Sequence, residues 1–286
     1  MWQAPIRWRL GRSNDFIRRT RRGALTGVAF RAMPSYAAPM AILVLEHSDL
    51  TGSGRLGEML RDYGHRLTVV KLHQGHDLPP DLDDVDGVVT CGGPQHAYDD
   101  SLPWLADEMT LLRQARERDI PIVAICLGSQ ILARALGGEV TRMERLELGW
   151  LPVTLTGAGT NDIVHAGVGW TTVQLHWHRD FVSKLPPGAT LLARSAACPV
   201  QAWSHGLRTY AFQYHPEVDA DDLERWMADS PSDLTEAGID AQTLRRQTAE
   251  HLPDMARVAS RLFEAIALLV MPLDRRYAGI TKDLHH

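Results

Sequence analysis

The chain is 286 residues long, 44% hydrophobic and formally −5 at pH 7. That size and apolar content suit one large α/β domain with extensions better than two small domains. The eight arginines of residues 1–40, against the single acid Asp15, conceal a remainder of 22 basic and 34 acidic residues, net −12, which argues against a nucleic-acid partner.

Three scattered cysteines, Cys91, Cys126 and Cys198, form neither a disulfide framework nor a zinc site, so a reducing, cytoplasmic compartment is expected. No apolar run reaches the length of a membrane span, and no membrane association is expected. Residues 1–39 are arginine-rich and have no sustained period. They are open to three readings: a disordered, passive extension, a transit or twin-arginine signal at Arg21 and Arg22, or a tail for an anionic partner. The extension is favoured, because Met40 stands directly before the first strand and Arg31 interrupts the stretch after the arginine pair.

From Ala41 onward, strand and helix signals alternate, as in a parallel sheet covered on both faces. Ile42–Leu45 reads as a buried strand, and Leu56, Met59, Leu60 and Tyr63 mark a helix ending at Gly64. Leu67–Leu72 and Val85–Thr90 are the next strands. His65, His73 and His76 fit no zinc spacing and are expected in solvent. The third strand runs into Cys91-Gly92-Gly93-Pro94, at the carboxyl end where open α/β sheets bind ligands and where glycine lets a backbone N–H approach a substrate oxygen. Ser101 and Pro103 then open a helix that turns Leu105, Met109 and Leu112 inward.

Ile122–Ile125 is continuously apolar, the pattern of a strand buried on both faces. Cys126 ends it, and Leu127, Ile131, Leu132 and Leu136 share a helical face that stops at Gly137. A cysteine at a strand-to-helix corner, with Ala124 two residues before and Gly128 two after, has the form of a nucleophile elbow. The helix N-terminus facing the sulfur favours thiolate over thiol. A core cysteine is the plainer alternative. Glu139–Thr141 and Leu151–Leu155 read as strands joined by Glu147-Leu148-Gly149-Trp150, and Ala189–Ser195 follows.

Tyr210–Tyr214 is a short aromatic strand that delivers His215. His215 and Glu217 project to one side, stiffened by Pro216, and so offer a base with a carboxylate to orient it. Residues 220–250 read as polar helix anchored by Leu223 and Trp226. Pro253 reads as the start of a last helix with a stripe of Val258, Leu262, Ile266 and Leu269, which Pro272 ends before a tail at 272–286.

Ala124–Gln130, Cys91–Pro94 and Tyr214–Glu217 resemble the G-I-C-L-G-x-Q, G-G-P and F-H-P-E motifs of the class I (Cys-His-Glu triad) glutamine amidotransferases. Glu147–Trp150 resembles the E-x-G-W of that family. Trp177–Phe181 resembles the W-H-G-D-x-F of its stand-alone, GMP-synthase-like group, some members of which are γ-glutamyl peptidases. The resemblance implies a three-layer, flavodoxin-like α/β domain over 40–271 with a mostly parallel central sheet. It implies Cys126 as nucleophile, His215 as base and Glu217 as its orienter, with oxyanion N–H groups from Gly93 and Leu127. Gln130, His178 and Asp180 fall where the family holds the donor's amino-acid end.

Arg179 stands where glycine is usual in that group, and its guanidinium is suited to pair with a carboxylate of the donor. The expected reaction cleaves the γ-carboxamide of glutamine through a thioester and releases ammonia, with no metal or cofactor. A separate ammonia-accepting synthase subunit is an expected partner, since no P-loop or Gly-rich nucleotide loop follows residue 217. Two alternatives are a γ-glutamyl peptidase acting on γ-glutamyl conjugates and a non-catalytic regulatory module.

Overall fold

A computed structural model describes residues 41–271; the segments expected as an extension at 1–39 and a tail at 272–286 lie outside the described residues. Nine strands form one sheet in the order β2-β1-β3-β4-β9-β8-β7-β5-β6. Its parallel half comprises β1 (Ala41–Glu46), β2 (Leu67–Lys71), β3 (Val85–Thr90), β4 (Ile122–Ile125) and β9 (Thr209–Phe212). The antiparallel half adds β5 (Glu139–Leu155), β6 (Thr171–Lys184), β7 (Ala189–Arg194) and β8 (Ala202–His205). The expected three-layer α/β architecture is present, and the sheet is mixed.

The centre of the parallel half is covered on both faces, which is why Ala41–Leu45 of β1 and the whole of β4 are apolar, whereas β2, at the sheet edge, leaves Thr68 and Val69 exposed. Ile42 and Val44 join the core beneath α1 (Gly54–Asp62) and α7 (Ala241–Ala265), while Leu43 and Leu45 join the core beneath α2 (Leu105–Glu117) and α3 (Leu127–Ala135). A short α4 (Gly157–Thr160) follows β5, and α5 (Ala220–Asp229) and α6 (Pro231–Ala237) precede α7. Asp219 and Asp222 make a capping box at the start of α5, which satisfies two of the otherwise orphaned backbone donors there.

Several sequence expectations are corrected. Glu147–Trp150 does not separate two strands; it lies inside β5, where an irregularity in register between Arg142 and Glu147 lets one long strand stay paired with β6. Pro253 lies inside α7, on its exposed side, and does not begin a helix. Leu269 is exposed and Val270 is buried, because a π-helical turn at Ile266–Val270, closed by Met271 N–H to the Ile266 carbonyl at 2.9 Å, rotates the stripe past its α-helical phase. β8 gave no signal in four residues of mixed polarity. His65, expected in solvent, is buried.

Candidate active site

Three segments from the carboxyl ends of β3, β4 and β9 meet at one point, since these strands are neighbours in the sheet. Cys126 leaves β4 with φ 50° and ψ −108°, a strained conformation for a residue with a side chain, and its N–H is held by the Phe212 carbonyl at 2.7 Å. Strain of this kind survives only where the surroundings over-determine it. Here Gly128 supplies the room: a Cβ on it would lie 2.3 Å from the Thr90 carbonyl oxygen, so only glycine lets α3 start this close to β3. The first N–H of α3, on Leu127, has no carbonyl within the helix to bond.

The Cys91–Pro94 turn faces this helix start. The Gly92 carbonyl accepts from Thr51 Oγ1 at 2.8 Å and lies 3.3 Å from His47 Nδ1. Across the same trans peptide, the Gly93 N–H points the opposite way from that carbonyl. A side chain at Gly93 would collide with His47 and Leu127 at 2.8 Å. Behind the turn, His47 Nε2 lies 3.0 Å from Glu108 Oε2, and Thr90 Oγ1 donates to Glu108 Oε1 at 2.7 Å. Burial opposes charge on His47, yet the Glu108 carboxylate overcomes it and holds the imidazole above its ordinary value.

His215 lines the same cavity as Cys126, and both side chains flank Gly92, where a Cβ would meet His215 Cε1 at 3.3 Å and Cys126 Cβ at 3.6 Å. His215 Nδ1 is 2.7 Å from Glu217 Oε1, and both residues are buried. Burial would lower its pKa, but Glu217 and the sulfur outweigh that and push it up to about 10, so His215 is held as the imidazolium. The pair is clamped: Arg55 N–H donates to the Glu217 carbonyl at 2.9 Å, and the Trp226 ring meets the His215 ring edge-on with centroids 4.8 Å apart.

Of the remaining expected residues, Gln130, His178 and Asp180 all line the same cavity of about 590 Å³ as Cys126, Leu127, Gly93 and His215. Their polar atoms are largely engaged with the protein. Gln130 Nε2 donates to the Asp180 carbonyl at 2.8 Å and to Gln213 Oε1 at 3.2 Å. The Asp180 carboxylate takes His96 Nδ1 at 2.5 Å and Tyr98 at 3.1 Å. His178 Nε2 sits 2.8 Å from Glu147, and burial keeps its imidazole below its ordinary value.

Arg179 is corrected: the carboxylates it pairs with are those of Asp233 and Glu236 on α6, at 2.5 and 2.6 Å, not one left free for a donor. Glu147, His178 and Cys198 bring one potential metal-ligand atom each within 4.8 Å of one another. Protein groups already occupy them: Ser195 and Gln201 bond the carboxylate, and Cys198 donates to the Val200 carbonyl.

His47, Thr51, Glu108 and Gln213 were missed from sequence. Glu108 had a faint signal, since it follows Leu105 by three residues and precedes Leu112 by four, on the buried face of α2. Gln213 had another, as the polar residue that ends an aromatic strand.

A family model for glutamine amidotransferase class-I matches residues 53–229, more than half of the chain. The chain belongs to that family. The glutamine amidotransferase-like protein YfeJ of Salmonella typhimurium is 32% identical over 202 residues, which cover 69% of this chain and 84% of that one. A glutamine-hydrolyzing GMP synthase subunit of Pyrococcus furiosus is 38% identical over 133 residues, 46% of this chain and 66% of that one. A glutamine amido transferase structure from Methylobacillus flagellatus superposes with a TM-score of 0.73 at 27% identity, covering 80% of this chain and 94% of that one. A glutamine amidotransferase structure from Thermotoga maritima gives 0.72 at 25% identity, covering 81% and 100%. Among the described residues, no helix is long and apolar enough to cross a membrane.

Proposed function

We propose that this chain is a cysteine-dependent glutaminase, with Cys126, His215 and Glu217 as its triad. The observation that carries the reading is the strained Cys126 between a helix N-terminus and an imidazolium that a carboxylate orients. The Cys126 thiolate attacks the δ-carbon of glutamine, and the oxygen takes negative charge between the Gly93 and Leu127 N–H groups. His215 gives its proton to the leaving nitrogen, and ammonia departs as the γ-glutamyl thioester forms. Neutral His215 then accepts a proton from water, whose oxygen attacks the thioester; glutamate leaves and the thiolate–imidazolium pair returns. Gln130, His178 and Asp180 shape the donor's amino-acid end.

Residues 40–271 are the amidotransferase domain in this reading, and a chain begun at Met40 retains full turnover. The name of the Pyrococcus relative supports a synthase partner that takes the ammonia. A second reading, a γ-glutamyl peptidase, is favoured by the cavity: 590 Å³ lies within the range that encloses drug-sized ligands, more than one amino acid fills. Incubating the purified protein with glutamine and with γ-glutamyl dipeptides, and measuring ammonia, glutamate and the released amino acid, decides between them. Turnover of neither donor, with or without a synthase, sinks both.

A further inference from the structure

Gln213 is 1% exposed and stands two residues before His215. Its carboxamide spans the gap between Gln130 and the nucleophile: Oε1 is 3.2 Å from Gln130 Nε2, and Nε2 is 3.6 Å from Cys126 Sγ. A carboxamide has a donor end and an acceptor end of nearly the same shape, so its neighbours decide which end faces the sulfur. One of those neighbours is unambiguous. The Asp180 atom that Gln130 approaches at 2.8 Å is a backbone carbonyl oxygen, which only accepts. Gln130 therefore turns its nitrogen inward, and the second hydrogen of that nitrogen is the one that reaches Gln213. Gln213 must answer with its oxygen, which leaves its own N–H for the sulfur.

We infer that Gln213 is a further catalytic residue: its N–H, oriented from the Asp180 carbonyl through Gln130, donates to Cys126 Sγ and stabilises the sulfur anion. The inference rests on Cys126 being the nucleophile. A thiolate is a far better acceptor than a thiol, so the bond favours ionisation of the resting enzyme. It is lost in strength when sulfur becomes neutral in the thioester. It is regained on deacylation, when the carbon–sulfur bond breaks and the electron pair returns to sulfur. As a neutral amide, Gln213 gives this support without titrating, whereas His215 must give up its proton during the same cycle.

The test is the pH profile of iodoacetamide alkylation, with the modified residue located by peptide mass mapping. Gln213→Met keeps the length of the side chain and removes the N–H. Its profile is expected to move to higher pH, with alkylation below neutrality slower by about tenfold. Gln213→Glu keeps the shape and places a carboxylate at the sulfur, so its shift is larger; it is read in place of Gln213→Met if that variant does not fold. A profile superimposable on the wild type in a folded variant overturns the inference. If instead the wild-type protein is not alkylated at Cys126, and Cys126→Ser still hydrolyses glutamine, the nucleophile assignment is what fails.

Discussion

Single side chains carry the sharpest expectations. Cys126→Ser abolishes hydrolysis with melting temperature unchanged, because serine fills the same volume but its hydroxyl is barely ionised near neutrality. Cys91→Ser and Cys198→Ser retain most activity; burial pushes both thiols up, Cys198 to about 12, so neither serves as a thiolate. Substantial turnover in Cys126→Ser contradicts the assignment. Arg179 carries a different expectation than its place in the sequence suggests. Its guanidinium is committed to α6, so Arg179→Gly lowers stability by only about 0.5–1 kcal/mol, the worth of a partly solvated pair. It changes kcat/KM for glutamine and γ-glutamyl peptides alike. A loss confined to the peptides restores a donor-recognition role.

At the scale of elements, the contact between α3 and β3 controls the site. Gly128→Ala places a methyl against the Thr90 backbone, which cannot rotate away, so α3 must withdraw and carry the Leu127 N–H with it. The expected cost is about 1–3 kcal/mol of stability with a larger loss in kcat than in KM, measured by denaturant unfolding and steady-state kinetics. Wild-type kinetics and stability together are the contrary result. Elements were also where the sequence was most legible. The unbroken apolar runs of β1 and β4, the small residues around Cys126 and the His-Pro-Glu step could be read because each is a local pattern. Glu108 opposite His47, and Gln213 against sulfur, could not: each partner is far away in sequence, and no local spacing encodes which strand will lie alongside. The displaced register after Ile266 was hidden because a single wide turn alters phase without altering composition.

For the whole molecule, buried charge sets the response to pH. Burial acts against the ionised form of Glu147, but His176 and His178 overcome it and hold the carboxyl well below the usual range; Asp162 is lowered likewise beside His165. Stability from these acids is present above their unfolded values near ~4 and is lost as pH falls. His47 and His215 are raised, so their contribution is complete below the unfolded value near ~6.5 and is lost as pH climbs. Melting temperature should therefore be highest between about pH 5 and 6.5 and decline toward pH 10, the range through which His215 titrates. A melting temperature that rises steadily from neutrality into alkali runs against these assignments.

The position of β9 has a consequence for how the protein comes into being. β4 receives its second neighbour only from residues 209–212, and Cys126 is 87 residues upstream of Gln213. On the ribosome, β4 waits with one edge bare while the whole antiparallel half is translated. The strand that finally fills the gap also brings in the histidine. Closing the seam and bringing His215 to Cys126 are thus one event; a chain interrupted before it keeps a sticky sheet edge and, under the proposed function, lacks the base for its nucleophile.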